Sequence, residues 1–203
     1  MDRQASDGQV RRRTGGRSAR VRDAALRATL ETVAEHGMAA VSMNEIARRA
    51  GIHGTSIQRR WGTRENLILD ALLDYSREQL PIPDTGTLRD DLSAFARSIA
   101  AYLATPLGEA LARALATADD DQILAASRAE FWRTRYDAAR VIIDRAVDRH
   151  ELPAGTDTAL ALEFLVAPLH FRKLLSRQPI DDELIRRQVD ILVRGLAPGV
   201  DHG

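Results

Sequence analysis

Apolar residues along the chain recur at helical spacing, and no run shows the alternation that a strand requires. Leu26, Leu30 and Val33 stand four and three apart, on one face of a helix running from Arg17 to His36-Gly37. The glycine there suits a left-handed closing residue. Ser42-Met43-Asn44-Glu45 has the form of a capping box, in which the serine oxygen accepts an early N–H and the glutamate reaches back. It predicts a short helix from Met43 to Ala50, stopped by Gly51, and a third from about Thr55 to Trp61, ended by Gly62. Thr63 caps a longer helix reaching Leu80, before Pro81 and Pro83. Thr87 with Asp90 opens another to about Ala104, and Thr105-Pro106 starts the next, since proline suits a first helical turn. Asp119 to Asp121 place negative charge at the start of a long helix ending near His150. Two final helices follow over residues 157–177 and 181–196, with Pro168 kinking the first. The expected fold class is all-α, about nine helices without an internal repeat.

The informative stretch is residues 42–61. Two short helices joined by a glycine-containing turn form the geometry that holds a recognition helix in the DNA major groove. Ile46, Ala47, Ile52, Ile57 and Trp61 face inward, and the small Ala50 lets the second helix approach closely. Thr55, Ser56, Gln58, Arg59 and Arg60 are left pointing outward. Arginine pairs bidentately with guanine or neutralises phosphate, glutamine fits the adenine edge, and hydroxyls and helix N-terminal amides bind phosphate oxygens. The same pattern also fits a helical hairpin with a solvated polar face, so its surroundings must decide.

Charge changes the picture. The net charge is zero, but the first 66 residues carry 13 Arg against 7 Asp plus Glu, and the remainder is acidic by the same margin. A basic N-terminal third on an acidic body suggests that one end meets a polyanion. Residues 1–16, with Arg11-Arg12-Arg13 and three glycines, read as a flexible basic arm. With no cysteine, disulfide and thiolate chemistry are excluded. No apolar run spans a membrane and the arginine-rich start lacks the apolar core of a secretory signal, so a cytoplasmic location is expected. No cofactor or metal is expected: no His-Glu-x-x-His occurs and no glycine loop fits a phosphate site.

Residues 17–70 resemble the DNA-binding domain of the tetracycline-repressor (TetR/AcrR) family. The resemblance is carried by the first helix with its terminal Glu-His-Gly, by Ser42…Glu45-Ile46-Ala47…Ala50-Gly51-Ile52, and by Ile57-Gln58-Arg59-Arg60-Trp61-Gly62-Thr63-Arg64-Glu65-Asn66-Leu67. It implies a phosphate-clamping role for Arg64 at the start of helix four. Ser42 and Met43 would lie against the DNA backbone; apart from the resemblance, the charge of the N-terminal stretch makes Arg11, Arg12, Arg13 and Arg17 further candidate basic contacts. Gln58 stands where the family usually has tyrosine, and Gly54-Thr55-Ser56 shifts the usual Lys-Gly-Thr by one. That puts a tyrosine phosphate contact in doubt and makes a base contact from Gln58 conceivable.

The domains expected are the arm at 1–16, the helix-turn-helix domain at 17–66 and a helical ligand-binding and dimerisation domain at 67–203. Leu165-Val-Ala-Pro-Leu-His-Phe-Arg-Lys-Leu-Leu looks like a penultimate-helix signature of the same family, whose last two helices form a four-helix dimer interface. Leu160, Phe164, Ala167, Phe171 and Leu174 repeat at four-three-four-three, and Ile185, Val189, Leu192 and Leu196 at four-three-four, as interface stripes or as faces turned to their own core. The resemblance further implies an unidentified small-molecule effector among helices five to eight, where Phe95, Tyr102, Phe131, Trp132, Tyr136 and His170 are candidate lining. The partners expected are thus double-stranded operator DNA, a second copy of the chain and that effector, with no membrane. Two other classes stay open: a constitutive helix-turn-helix module without effector, and a helical enzyme using the histidines or Asp119 to Asp121.

Overall fold

The computed structural model describes residues 15–116 and 122–196; Arg11 to Arg13 and Asp119 to Asp121 lie outside them. Among the described residues there are nine α-helices and no strand: α1 (Gly15–His36), α2 (Met43–Ala50), α3 (Gly54–Trp61), α4 (Arg64–Gln79), α5 (Leu88–Ala104), α6 (Pro106–Ala116), α7 (Gln122–Asp148), α8 (Thr158–His170) and α9 (Asp182–Leu196). The all-α expectation holds, and most ends fall where caps predict them.

Helix α1 turns Ala25, Leu26, Leu30 and Val33 inward. Thr29 and Thr32, also buried on it, are satisfied by donating to the carbonyls of Ala25 and Ala28 one turn back, both at 2.8 Å. Gly37 at φ 82° lets the chain leave α1 into a 3₁₀ turn at Met38–Ala40. The capping box at Ser42 does not form: Ser42 is the N-cap residue but makes no side-chain cap bond. Glu45 instead takes a bidentate pair from Arg48 at 2.9 and 2.5 Å, a charge-assisted bond that outcompetes a reach back to one amide. At α4 the cap does form, with Thr63 accepting from the Asn66 amide at 3.2 Å.

Two cores result. One gathers α1 to α4 around Ile46, Ile57, Trp61, Leu67 and Ile68, and is completed by Leu111 and Leu115 of α6 and Leu124 and Phe131 of α7. The other packs α5, the second half of α7, α8 and α9 around Leu92, Ile142, Ile143, Leu162 and Leu165. Trp132 touches both. Helix α1 packs on α2, α4 and α6, while α4 packs on α7 and α5 on α9.

The corner between α5 and α6 is tight. Thr105 Oγ1 donates to the Tyr102 carbonyl at 2.8 Å and accepts from the Gly108 amide at 3.0 Å. A Cβ on buried Gly108 would fall well inside van der Waals distance of the Tyr102 carbonyl oxygen and 2.8 Å from Thr105 Oγ1. Backbone, not a flexible side chain, must then yield. Gly108→Ala is therefore expected to cost about 2–3 kcal/mol despite alanine's better helix propensity, read as an earlier midpoint in urea denaturation.

The single helix expected over residues 157–177 is broken. Pro168 has no N–H to give the Phe164 carbonyl, and beyond His170 the chain widens into a π-helical turn at Phe171–Ser176. Gln188 of α9 takes over, donating to the carbonyls of Phe164 at 3.2 Å and Leu165 at 2.5 Å.

Candidate functional site

The first candidate surface is that of α2 and α3. His53 is the N-cap residue of α3, which begins one residue before Thr55 and is closed by Gly62 at φ 72°. Ile57 and Trp61 pin it to the core. Thr55, Gln58, Arg59 and Arg60 are exposed and Ser56 half-buried; at α2, Ser42 is exposed and Met43 half-buried. These side chains differ in how they are held. Arg59 has no partner among the described residues and stands free in solvent. Arg60 lies over the Trp61 ring, 5.5 Å from its centroid, and donates to Ser18 of α1 at 3.3 Å. Gln58 donates to the Gly62 carbonyl at 2.7 Å, closing its own helix, so the amide group that would read an adenine edge is engaged within the chain. Arg64 pairs with Glu65 at 2.7 Å and reaches the Ala39 carbonyl at 3.3 Å, fixing the start of α4 to the turn before α2. Arg17 lies in the first turn of α1.

Polar bonds tie α3 to α4. Trp61 Nε1 donates to Asp70 at 2.9 Å, Asn66 Nδ2 donates to the Trp61 carbonyl at 2.9 Å, and Arg22 of α1 bridges Asp70 and Asp74 at 2.8 Å each. A displacement of α4 would therefore be transmitted to α3 through these bonds.

The second candidate is a cavity of about 50 Å³ between the two cores. All six side chains expected from the sequence (Phe95, Tyr102, Phe131, Trp132, Tyr136 and His170) line it. Trp132 is its centre: it stacks on Tyr136 at 5.9 Å and meets Phe131 and His170 edge-on at 5.3 and 5.6 Å. Burial pushes the Tyr102 and Tyr136 phenols above their ordinary pKa, so both keep their protons. Burial also lowers the His170 pKa, and its Nδ1 stands 3.1 Å from the Val166 carbonyl. A carbonyl only accepts, so Nδ1 carries the proton and the neutral ring keeps Nε2 as an acceptor. Sequence reasoning missed Ser76, Leu80 and Arg135 in the lining. For Arg135 a signal existed: Phe131, Arg135, Ala139, Ile142 and Ala146 repeat at four-four-three-four, which places the arginine on the buried face of α7.

The third candidate is the outer face of α8 and the turn beyond it. Leu160, Phe164, Phe171 and Leu175 are 48, 60, 55 and 72% exposed, joined by Ile191 of α9 at 69%. Two expectations change here. Ile185, Val189 and Leu192 are buried within their own chain, and Leu196 is half-buried against the same core, so the α9 stripe is a core face. Leu174 also packs inward; the π-helical turn holds more residues per turn and hands its outward place to Leu175.

Comparison with known proteins agrees with this arrangement. Residues 25–71 match the model described as bacterial regulatory proteins, tetR family, and residues 82–192 match the tetracyclin repressor-like C-terminal domain. The chain belongs to the tetR family of bacterial regulatory proteins. Among its relatives, the HTH-type transcriptional regulator AqdR of Rhodococcus erythropolis is 36% identical over 88% of this chain and 86% of its own. YdeS of Bacillus subtilis, an uncharacterized HTH-type transcriptional regulator, is 25% identical over 85% and 88%. The crystal structure of the TetR family transcription regulator SCO0332 superposes with a TM-score of 0.71 at 26% identity, covering 88% of this chain and 99% of that one. FadR from Bacillus subtilis, solved with stearoyl-CoA, shares the fold with a TM-score of 0.65 at 16% identity, over 85% and 98%. The chain is thus a DNA-binding regulator of this family, and α2 and α3 both lie within the matched N-terminal residues. Among the described residues no helix is long and apolar enough to cross a membrane.

Proposed function

We propose that this tetR regulator is a ligand-responsive repressor that binds a palindromic operator in the cytoplasm as a homodimer and is released when a small molecule enters the cavity between its two cores. The observation that carries the reading is the identity of the cavity walls. Ser76 and Leu80 of α4 and Ala112 and Leu115 of α6 line it, and both helices pack directly on α1 of the DNA-binding unit. A volume of about 50 Å³ has room for a few water molecules only. An organic effector must therefore push α4 and α6 away from α7 and α8, and α4 carries α3 with it. In a dimer the two recognition helices must meet successive major grooves about 34 Å apart. An effector that fits only a displaced α4 draws the population to a spacing that no longer matches the operator. That FadR was solved with stearoyl-CoA is in keeping with this fold admitting small molecules.

Within the interface Arg59 and Arg60 are the proposed principal basic contacts, with Thr55, Ser56, Ser42, Met43, Arg64 and Arg17 supporting the backbone. The arm residues Arg11 to Arg13 would add phosphate contacts. Arg59→Ala is expected to weaken operator binding by about 1–3 kcal/mol per contact, and each contact occurs twice in a dimer. Its thermal melt should stay unchanged, because the side chain packs on nothing. Fluorescence anisotropy with operator recovered by genomic pull-down reads the effect; wild-type affinity in both Arg59→Ala and Arg60→Ala would remove α3 from the interface.

A further inference from the structure

Arg135 is the one permanently charged side chain among the described residues that line the cavity. It is about nine-tenths buried, at 8% exposure, within a lining that is aromatic and aliphatic apart from Ser76. Among the described residues its guanidinium makes one hydrogen bond, from Nη2 to the Leu80 carbonyl at 3.1 Å, and meets no carboxylate. The Leu80 carbonyl at the end of α4 offers a partial negative charge, which is much less than a counter-ion. Tyr102 faces the same space, but burial keeps its phenol protonated, so it supplies no charge. Arg77 adds a second positive field from α4. Desolvation and Arg77 together work against the charge on Arg135, and a guanidinium keeps its charge in proteins nonetheless. Four of its N–H donors therefore have no protein partner among the described residues, and none of its nitrogens is a fully buried orphan, so these donors stay open to water or to an incoming anion.

Resting on the reading of this cavity as the effector site, we propose that the effector is an amphipathic organic acid: its anionic oxygens pair with Arg135 and its carbon body lies among Phe95, Trp132 and Tyr136. The arrangement sets polarity as well as sign. The Arg135 end adjoins Leu80 and the close of α4, so the acid group would enter at the helix whose displacement moves α3. An acid drawn to the guanidinium competes with the Leu80 carbonyl for the same donors, loosening the tie between α7 and α4. Binding charge and releasing α4 then become one event. A neutral molecule of the same shape carries no charge with which to compete for those donors.

The test uses the full chain with probes of matched carbon body: decanoate against decan-1-ol and decylamine, and 1-naphthoate against 1-naphthylmethanol. Affinity is read by calorimetry and Trp fluorescence, and release by operator anisotropy. The acids are expected to bind about tenfold or more tightly than the alcohols, and to release operator where the amine does neither. Arg135→Gln keeps a donor for Leu80 and removes the charge. It should erase the acid-over-alcohol preference while alcohol affinity stays within about threefold. Arg135→Lys should keep part of the preference, and it decides the matter if the glutamine variant fails to fold. Equal affinity for acid and alcohol in the wild type, binding of the amine, or an unchanged preference in Arg135→Gln overturns the acid assignment. If alcohols still release operator in that case, the cavity remains the effector site. Failure of every probe to bind or to shift operator affinity overturns both readings.

Discussion

Phe164→Glu combined with Phe171→Glu is expected to turn the protein into a monomer by light scattering and to weaken operator binding by about 100-fold or more. Both rings are more than half exposed and lie with Leu160 and Leu175 on one stripe of α8 and the turn beyond it. A contiguous apolar stripe of this kind, flanked by Glu163 and Arg172, is the surface that a second copy is proposed to cover. In a two-fold interface the same patch serves both partners, so each substitution acts twice and sets new carboxylates near their own symmetry mates. Hydrophobic burial is lost and like charges are desolvated together. Operator affinity falls with it because one half-site no longer raises the local concentration at the other. The chain itself should stay folded, with unchanged far-ultraviolet circular dichroism, since neither ring belongs to either core. Val189→Glu is the contrasting control: it enters a fully buried site and should unfold the second core rather than split a dimer. A dimer that survives the Phe164 and Phe171 changes at micromolar concentration would move the interface to another face.

That contrast also shows where the sequence was readable. Spacing on α9 correctly marks Ile185, Val189 and Leu192 as one apolar face, but periodicity says only that a face is covered, never by what. The register slip from Leu174 to Leu175 was out of reach for another reason. Pro168 announces a kink, yet whether the chain resumes as α or π turn depends on whether a neighbouring side chain feeds the freed carbonyls, and Gln188 is 20 residues away in sequence. The recognition segment was legible because its signals are local: Gly51 and Gly62 at positive φ, and buried Ile46, Ile57 and Trp61 at helical spacing. Even there the failed Ser42 cap and the self-bonded Gln58 are outcomes of competition between nearby donors, which composition does not rank. The cavity lining was found because aromatics are scarce outside the first core, so naming them nearly names the junction. Arg135 escaped because α7 is rich in arginines and only face-by-face reading separates the buried one from the solvated ones.

Helix α6 joins these sites in a way that no local signal shows. Its Glu109 takes ion pairs from Lys173 at 2.7 Å and Arg177 at 3.0 Å, both on the segment that follows α8. Those partners, Lys173 first, hold the Glu109 carboxyl below the ordinary carboxylate range. One face of α6 therefore meets α1, another lines the cavity through Ala112 and Leu115, and its first turn is tied to the flank of the proposed dimer stripe. Under the proposed function, an effector that moved α6 would act on the DNA-binding unit and on the proposed dimer geometry together, whereas α4 reaches only the first. Under the proposed mechanism the operator spacing would thus be set through two helices rather than one.

Asp91→Ala is expected to cost about 3 kcal/mol or more, a fall in Tm of roughly 6–12 °C for a chain of this size. Asp91 is fully buried at the start of α5 and holds down the loop between α4 and α5. Its Oδ1 accepts from the Thr85 amide at 2.6 Å and the Thr85 hydroxyl at 2.7 Å, while its Oδ2 faces Arg149 Nη2 at 3.6 Å. Those two facing atoms are buried and have no other hydrogen-bond partner, so each depends on the other's charge. Removing the carboxylate strands the Thr85 amide and leaves the guanidinium turned toward an empty pocket, and leaving such groups unpaired costs more than forming the pair gains. Asp91→Asn separates the two contributions: it can still accept from Thr85 but lacks the charge facing Arg149, and should fall between wild type and alanine. Arg149 also pairs with Glu151 at 2.5 Å, and Glu151 in turn accepts from the Leu88 amide at 2.8 Å, so the network ties the end of α7 to the first turn of α5. The loop it anchors begins at Leu80, whose carbonyl receives Arg135. A slack loop should therefore blur the effector response before the fold is lost, seen as partial operator release without ligand at temperatures below the melt. A melt within about 1 °C of wild type for Asp91→Ala, well under the shift expected for a lost buried ion partner, would show that the remaining loop contacts suffice and would sink the argument.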